Sequence, residues 1–145
     1  MRAFLPLLPM LATLLLAASP APAADDFDAI IARQRGLLLA QPSSTPPATV
    51  EQWTRTLDAS GAWPDLNYQD AQRADWSPRY HLDRVVAMCK ALLQPQSPLR
   101  GNPALAAAVD RALDYWIAKR PHCSNWWHNE IGTPGFMRDI IFLLG

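Results

Sequence analysis

Residues 77–93 read SPRYHLDRVVAMCKALL, and this stretch decides the fold. A serine followed by a proline is typical of a helix start, because the hydroxyl can cap free N–H groups and proline suits the first helical position. Apolar side chains then recur at Val85, Met88, Cys89 and Leu92. Spacings of three and four residues place them on one helical face. The stretch therefore predicts a helix that buries this face in a core.

Four more helices are predicted around this one. They cover Asp26 to Ala40, about Thr49 to Ala59, a segment from Asn102-Pro103 that stops before Pro121, and a last segment from Thr133-Pro134. Proline-rich segments join them, because proline lacks the N–H donor that a helix interior needs. Strand signals are weak, with no sustained apolar–polar alternation and no Asn-Gly or Asp-Gly turn. The sequence predicts an all-α fold of antiparallel helix pairs.

Composition excludes several classes of protein. The chain has 145 residues, which suits one domain. Its 13 basic and 13 acidic residues balance, which argues against a nucleic-acid partner, since such proteins carry a basic excess. Half of the residues are hydrophobic, so the chain is not of the disordered class. Nothing in the composition sets an oligomeric state.

The first segment, residues 1–23, has the pattern of a secretory signal peptide. An apolar run is followed by small residues, and cleavage is expected after Ala23. The alternative is a membrane anchor, but Pro6 and Pro9 break the run, which is shorter than the ~20 apolar residues of a span. We expect a secreted or periplasmic mature chain, residues 24–145, that has no membrane partner after cleavage.

Export would permit a disulfide between Cys89 and Cys123, the two cysteines of the chain. They lie near the ends of the third and fourth predicted helices. If these helices pack antiparallel, the sulfurs lie on the order of 20 Å apart at the rise of an α-helix. A disulfide needs Cα atoms within roughly 7 Å. We therefore predict two unpaired cysteines, with Cys89 buried.

Residues 125–134 read NWWHNEIGTP and are the most distinctive feature of the chain. Trp126 and Trp127 are predicted on a loop between a helix end and a helix start, where adjacent side chains cannot both face one helical core. Exposed indoles can stack on the apolar face of a sugar ring. Side chains that can hydrogen-bond to its hydroxyls stand beside them, at Asn125, Asn129 and Glu130. The alternative is that both indoles plug a gap between helix ends.

The pattern NWWxxEIGxP resembles the signature of the N-terminal α-helical domain of polysaccharide lyase family 8, which includes hyaluronate, chondroitin AC and xanthan lyases. The resemblance extends from about Phe27 to the end of the chain. It implies the first part of an incomplete (α/α) toroid. Two positions depart from the family, His128 and Gly135, where members often have an acidic or aromatic residue and an arginine.

The resemblance also implies a function. Family members cleave acidic polysaccharides by β-elimination next to a uronic acid. Carried over by position, Trp126 and Trp127 stack on the substrate, and Asn125 shapes or touches the cleft. The partner would be a glycosaminoglycan or a xanthan-like polymer. The family's catalytic Asn, His, Tyr and Arg lie downstream of the motif, so we expect a truncated N-terminal portion with no catalytic residues.

Other chemistry has little support in the sequence. His122 and His128 are interpreted as solvated loop histidines, and their spacing with Cys123 matches no zinc pattern, so no metal and no cofactor are expected. Two other functions stay open: a stand-alone periplasmic helical module that binds carbohydrate or a protein, and a plain structural domain with a buried Trp pair. The last helix is expected to expose apolar surface unless a partner covers it.

Overall fold

The computed structural model describes residues 26–145; the predicted signal peptide lies outside these described residues. The chain forms helices α1 (Asp26–Ala40), α2 (Pro47–Thr56), α3 (Arg79–Leu93), α4 (Pro103–Lys119) and α5 (Thr133–Leu144), with a π-helical turn at His128–Gly132. The described part contains no strand, which confirms the all-α prediction. None of its helices has the length and apolar character needed to cross a membrane.

The helix starts follow the predicted signals only in part. The Asn102 side chain caps α4, since its Oδ1 accepts hydrogen bonds from the backbone N–H groups of Ala104 and Leu105 at 2.9 and 3.1 Å. Ser77 does not cap α3 as predicted. Its hydroxyl oxygen instead accepts the N–H of Asn67 at 3.0 Å, which ties the preceding loop to the helix start.

Helix α3 lies at the centre of the core and packs against each of the other four α-helices. Its predicted face is buried at Val85, Met88 and Cys89, whereas Leu92 is partly buried. Both cysteines are free and buried, as predicted for the pair and for Cys89. This helix therefore buries apolar surface against several neighbours at once, which stabilises the domain.

A buried histidine joins three parts of the core. The Nε2–H of His81 donates to the backbone oxygen of Ala112 in α4 at 2.9 Å, and its Nδ1 accepts the hydroxyl of Tyr68 at 2.9 Å. The Tyr68 oxygen in turn accepts the N–H of Trp63 at 3.0 Å. This arrangement uses both ring nitrogens in the neutral state. Burial lowers the pKa of His81 to about 4, outweighing the bond to Ala112.

The turn after α2 touches α4 directly. The Asp58 carboxylate accepts the N–H groups of Ser60 and Ala62 at 2.8 and 3.0 Å, which closes the turn. Gly61 has φ of +90°, and a Cβ there would lie 2.0 Å from the backbone oxygen of Arg111. Glycine is needed at this position both for its backbone conformation and for the close approach of the two segments.

The two outer helices, α1 and α5, pack against each other and leave apolar side chains exposed. On α5, Ile140 and Leu143 are buried while Ile141 and Leu144 are exposed, as predicted for the last helix. On α1 no residue is fully buried. This side of the domain therefore presents more apolar surface than the side built on α3 and α4.

The His81 network predicts an acid-sensitive fold. The imidazole has a pKa near 6.5 when unfolded and about 4 when folded, so the unfolded chain binds the proton more tightly. The stabilisation is complete above pH 6.5 and is lost as the pH falls toward 4, a change on the order of 3 kcal/mol. Urea unfolding at pH 4 to 7 measures it.

Two variants of the chain separate this network from general acid effects. His81→Phe should be less stable at pH 7 and should lose most of the pH dependence between pH 4 and 6.5. His122→Gln removes an exposed imidazole and should behave like the parent chain. An identical pH slope in His81→Phe would show that His81 does not carry the effect.

Candidate functional site

The tryptophan pair lies at the start of a helix and not on a loop, so the loop prediction is wrong. Trp126 and Trp127 form a helical turn that runs without interruption through the π-helical turn into α5. Asn125 caps this turn. Its Oδ1 accepts the N–H of Trp127 at 3.1 Å, and its backbone oxygen accepts the N–H of His128 at 3.1 Å. The helix that was predicted to be capped at Thr133 is therefore capped eight residues earlier, at Asn125.

Thr133-Pro134 has a different role from the predicted cap. The Thr133 N–H donates to the oxygen of His128, five residues back, and the threonine side chain makes no cap. Pro134 follows directly, and proline has no N–H to continue the helical bonding. The π-helical turn accommodates this break without ending the helix, and such turns occur frequently at functional sites.

Two asparagine side chains fasten the motif to the rest of the domain. Asn125 Nδ2 donates to the backbone oxygen of Arg73 at 2.9 Å. Asn129 grips both backbone groups of Cys123, accepting its N–H at 3.0 Å and donating to its oxygen at 2.7 Å. The Cys123 thiol lies 3.6 Å from the oxygen of Gln72. The amide of Asn125 is thus bonded within the chain through both of its polar atoms, which suits the predicted shaping role.

Both indoles are largely uncovered within the described part of the chain, and that of Trp127 is held against the backbone. Trp126 is 63% exposed and Trp127 is 48% exposed. The six-membered ring of Trp127 lies over Gly132, where a Cβ would be 2.9 Å from its Cζ3 atom. A plug between helix ends would be buried, so this degree of exposure favours the predicted stacking role over the plug. Whether these residues bind substrate stays a prediction.

His128 lies beneath the pair and is buried, so its interpretation as a solvated loop histidine is wrong. Its ring contacts Trp76 and Trp127, with centroids 5.5 and 5.4 Å away. Helical backbone turns this side chain toward the core while its neighbours face outward. His122 is exposed, in agreement with its interpretation. Within residues 26–145, no three His, Cys, Asp or Glu side chains gather as a metal site requires.

The loop that supports the motif was not found in the sequence. Gln72 and Arg73 lie about fifty residues before Cys123 and Asn125, and they contribute backbone oxygens and not side chains. Backbone acceptors carry no residue-type signal. Gly132, by contrast, is part of the sequence motif. The structure shows why glycine is suited to this position: the Trp127 indole lies too close for a Cβ.

The Asn129 clamp predicts a local loss of order when it is removed. Asn129→Ala leaves the buried backbone N–H and oxygen of Cys123 without partners, which costs about 1–3 kcal/mol. We expect a lower free energy of unfolding in urea and faster amide exchange over residues 122–128. Ser124→Ala is the control, because Ser124 is exposed and lies in the same segment. Equal stability of the two variants would contradict the clamp.

Comparison with known proteins agrees with the motif and the fold. Residues 31–145 match the family described as polysaccharide lyase family 8, N terminal alpha-helical domain. The chain is 29% identical to a chondroitinase-AC of Pedobacter heparinus over 79% of its length, and 32% identical to a hyaluronate lyase of Thermasporomyces composti over 86%. A xanthan lyase of a Bacillus species is 28% identical over 84%. The chain spans about a sixth of the length of these relatives.

The structure is also similar to a solved one. A chondroitinase AC lyase, whose structure was determined in complexes with oligosaccharides, superposes with a TM-score of 0.71 at 29% identity. The match covers 79% of this chain and 17% of that enzyme. It agrees with the predicted opening part of an (α/α) toroid. The chain therefore belongs to polysaccharide lyase family 8 and corresponds to its N-terminal α-helical domain.

Proposed function

We propose that this chain is the N-terminal part of an exported polysaccharide lyase, that it binds acidic polysaccharide, and that the complete enzyme cleaves that polymer by β-elimination at a uronic acid. One observation carries the proposal: the half-exposed indoles of Trp126 and Trp127 stand on a helical turn fastened at both ends. Export rests on the pattern of residues 1–23.

The geometry suits stacking on a sugar ring. Trp126 is exposed on the first turn of its helix, and Trp127 is braced by Gly132 beneath its ring. Because the backbone of the turn is capped by Asn125, little conformational entropy is lost when a ligand binds. Tryptophan also offers a large apolar area with few rotatable bonds, which is why it is enriched at binding surfaces.

The class of ligand comes from the relatives. Their names give chondroitin, hyaluronate and xanthan as their polymers, and these are acidic polysaccharides. A β-elimination needs three groups: one that neutralises the uronate carboxylate, a base for the adjacent proton, and an acid for the leaving oxygen. The resemblance assigns these tasks to residues downstream of the motif.

Two histidines and one tyrosine of the described part are engaged in the interior of the domain. His81 is buried with both ring nitrogens bonded to Tyr68 and Ala112, and His128 is buried under the tryptophan pair. Burial raises the pKa of Tyr68 to about 12, which disfavours its use as a base. Because the resemblance places the catalytic groups downstream of the motif, we propose that this chain binds the polymer but does not cleave it.

A second function has support in the packing. Residues 26–145 enclose a continuous core, and every buried side-chain nitrogen or oxygen in this part has a hydrogen-bond partner. These features also fit a stand-alone helical module that binds carbohydrate or a protein. The same indoles would carry the carbohydrate-binding version of that function.

Removing the indoles tests the binding role. The double variant Trp126→Ala/Trp127→Ala should lose binding to hyaluronan, chondroitin sulfate or xanthan in titration calorimetry. The melting temperature should fall less than for a buried tryptophan, because about half of each indole is exposed. A fully buried Trp would instead cost about 3–5 kcal/mol on truncation.

Ile117→Ala is the matched control, since Ile117 is a large apolar side chain on α4 that is 53% exposed. It should leave both binding and stability unchanged. A large fall in the melting temperature of the double variant, with glycan binding intact, would show that the tryptophans are structural. That result would contradict their proposed role in stacking on sugar rings.

The absence of turnover by this chain is a separate test. The 145-residue chain is incubated with hyaluronan, chondroitin sulfate or xanthan, and the ultraviolet absorbance of unsaturated uronate products is followed. We expect no increase above a boiled-protein control. Robust product formation would overturn the proposal that the catalytic groups lie elsewhere.

A further inference from the structure

The loop before α3 forms one edge of the tryptophan site. The backbone oxygen of Arg73 accepts the side chain of Asn125 at 2.9 Å, and the oxygen of Gln72 faces the thiol of Cys123 at 3.6 Å. Asn125 immediately precedes the two indoles. Arg73 is therefore placed within one side-chain length of the segment that carries them.

This loop is ordered on both sides of Arg73. The carboxylate of Asp70 accepts the N–H of Gln72 at 3.0 Å and that of Ser77 at 2.8 Å. The Trp76 indole N–H donates to the Asp70 backbone oxygen at 3.2 Å, and the Trp76 ring is buried. The bonds from the backbone N–H groups of Ser77 and Gln72 lower the pKa of the Asp70 carboxyl.

The Arg73 guanidinium is exposed and has no hydrogen bond, ion pair or ring contact with any other residue in 26–145. The nearby carboxylates already have partners. Asp75 accepts the Tyr80 hydroxyl at 2.7 Å and pairs with Arg79, while Asp70 binds backbone N–H groups. The loop thus holds one cation that its own acidic residues do not neutralise.

Stacking alone does not distinguish an acidic sugar from a neutral one. A carboxylate also stands on the helix of the tryptophan pair, at Glu130, one turn beyond Trp126 and exposed. It repels an anionic polymer. A cation near the tryptophan pair is needed to offset this repulsion and favour an acidic sugar. Arginine suits a carboxylate because its planar guanidinium can donate two parallel hydrogen bonds.

We propose that Arg73 binds a uronate carboxylate of the polymer whose sugar rings stack on Trp126 and Trp127, and so selects acidic over neutral glycan at this site. The proposal rests on the proposed function, because it requires that the indoles bind carbohydrate. Arg73 is here a specificity-determining residue and takes no part in bond cleavage.

The test uses the full chain and two probes that differ at the uronate groups: a hyaluronan oligosaccharide, and the same oligosaccharide with its carboxylates converted to uncharged methyl esters. Arg73→Ala should weaken hyaluronan binding about five- to tenfold at low salt and leave binding of the ester unchanged. Arg73→Lys should recover part of the loss, because charge is kept without the fork. The effect should be smaller at about 0.5 M salt, because salt screens the attraction between exposed charges.

Arg100→Ala is the matched control. Arg100 is also exposed and without a side-chain partner in the described part, but it lies beyond the opposite end of α3. It should leave hyaluronan affinity unchanged. Equal losses for Arg73→Ala and Arg100→Ala would indicate general charge attraction and would overturn the inference.

The outcomes separate the two proposals. If Arg73→Ala binds hyaluronan like the parent chain while Trp126→Ala/Trp127→Ala does not bind, the Arg73 inference is wrong and the stacking role stands. If the parent chain binds neither probe, the proposed function fails, and the inference fails with it. A loss of ester binding in Arg73→Ala would show a structural effect of the substitution and would also count against the inference.

Discussion

A buried neutral imidazole holds the parts of this domain in register. His81 lies at the start of α3, donates to Ala112 in α4 and accepts from Tyr68 in the loop before α3. The bond to Tyr68 extends to the backbone of Trp63. One side chain thus connects the central helix, its neighbour and the loop, in surroundings where an unpaired polar group would cost several kcal/mol. The position of that loop depends on it.

The loop before α3 also contacts the segment that carries the tryptophan pair. Trp76, at its end, packs on Trp116 of α4 and on His128 under the tryptophan pair. The backbone just before Trp76 accepts the side chain of Asn125 and faces the thiol of Cys123. The Trp127 indole therefore packs on the ring of His128, and hydrogen bonds of Asn125 fix the backbone that carries both indoles. The Trp127 side chain is thus held in place while about half of it stays exposed.

Much of the fold could be predicted from the sequence because its signals are local. The bounds predicted for α1 agree with the structure, and the Asn102 cap of α4 is where the Asn-Pro signal placed it. The errors have physical reasons. Thr133-Pro134 resembles a helix start, but the Asn125 cap had already begun the helix, and a π-helical turn absorbs the proline. Ser77 is engaged by Asn67, a partner that helix-start rules do not consider.

The sequence by itself determined the helical class, the free cysteines and the family, since each depends on residue spacing or on a continuous motif of ten residues. Only the tertiary structure decided what surrounds the motif. It buried His128, left Trp126 and Trp127 exposed, and brought Arg73 beside Asn125 from fifty-two residues away. These contacts join segments that are distant in sequence, and the one between Arg73 and Asn125 uses a backbone oxygen, which every residue possesses. Such contacts between distant segments therefore cannot be predicted from a local pattern of side chains.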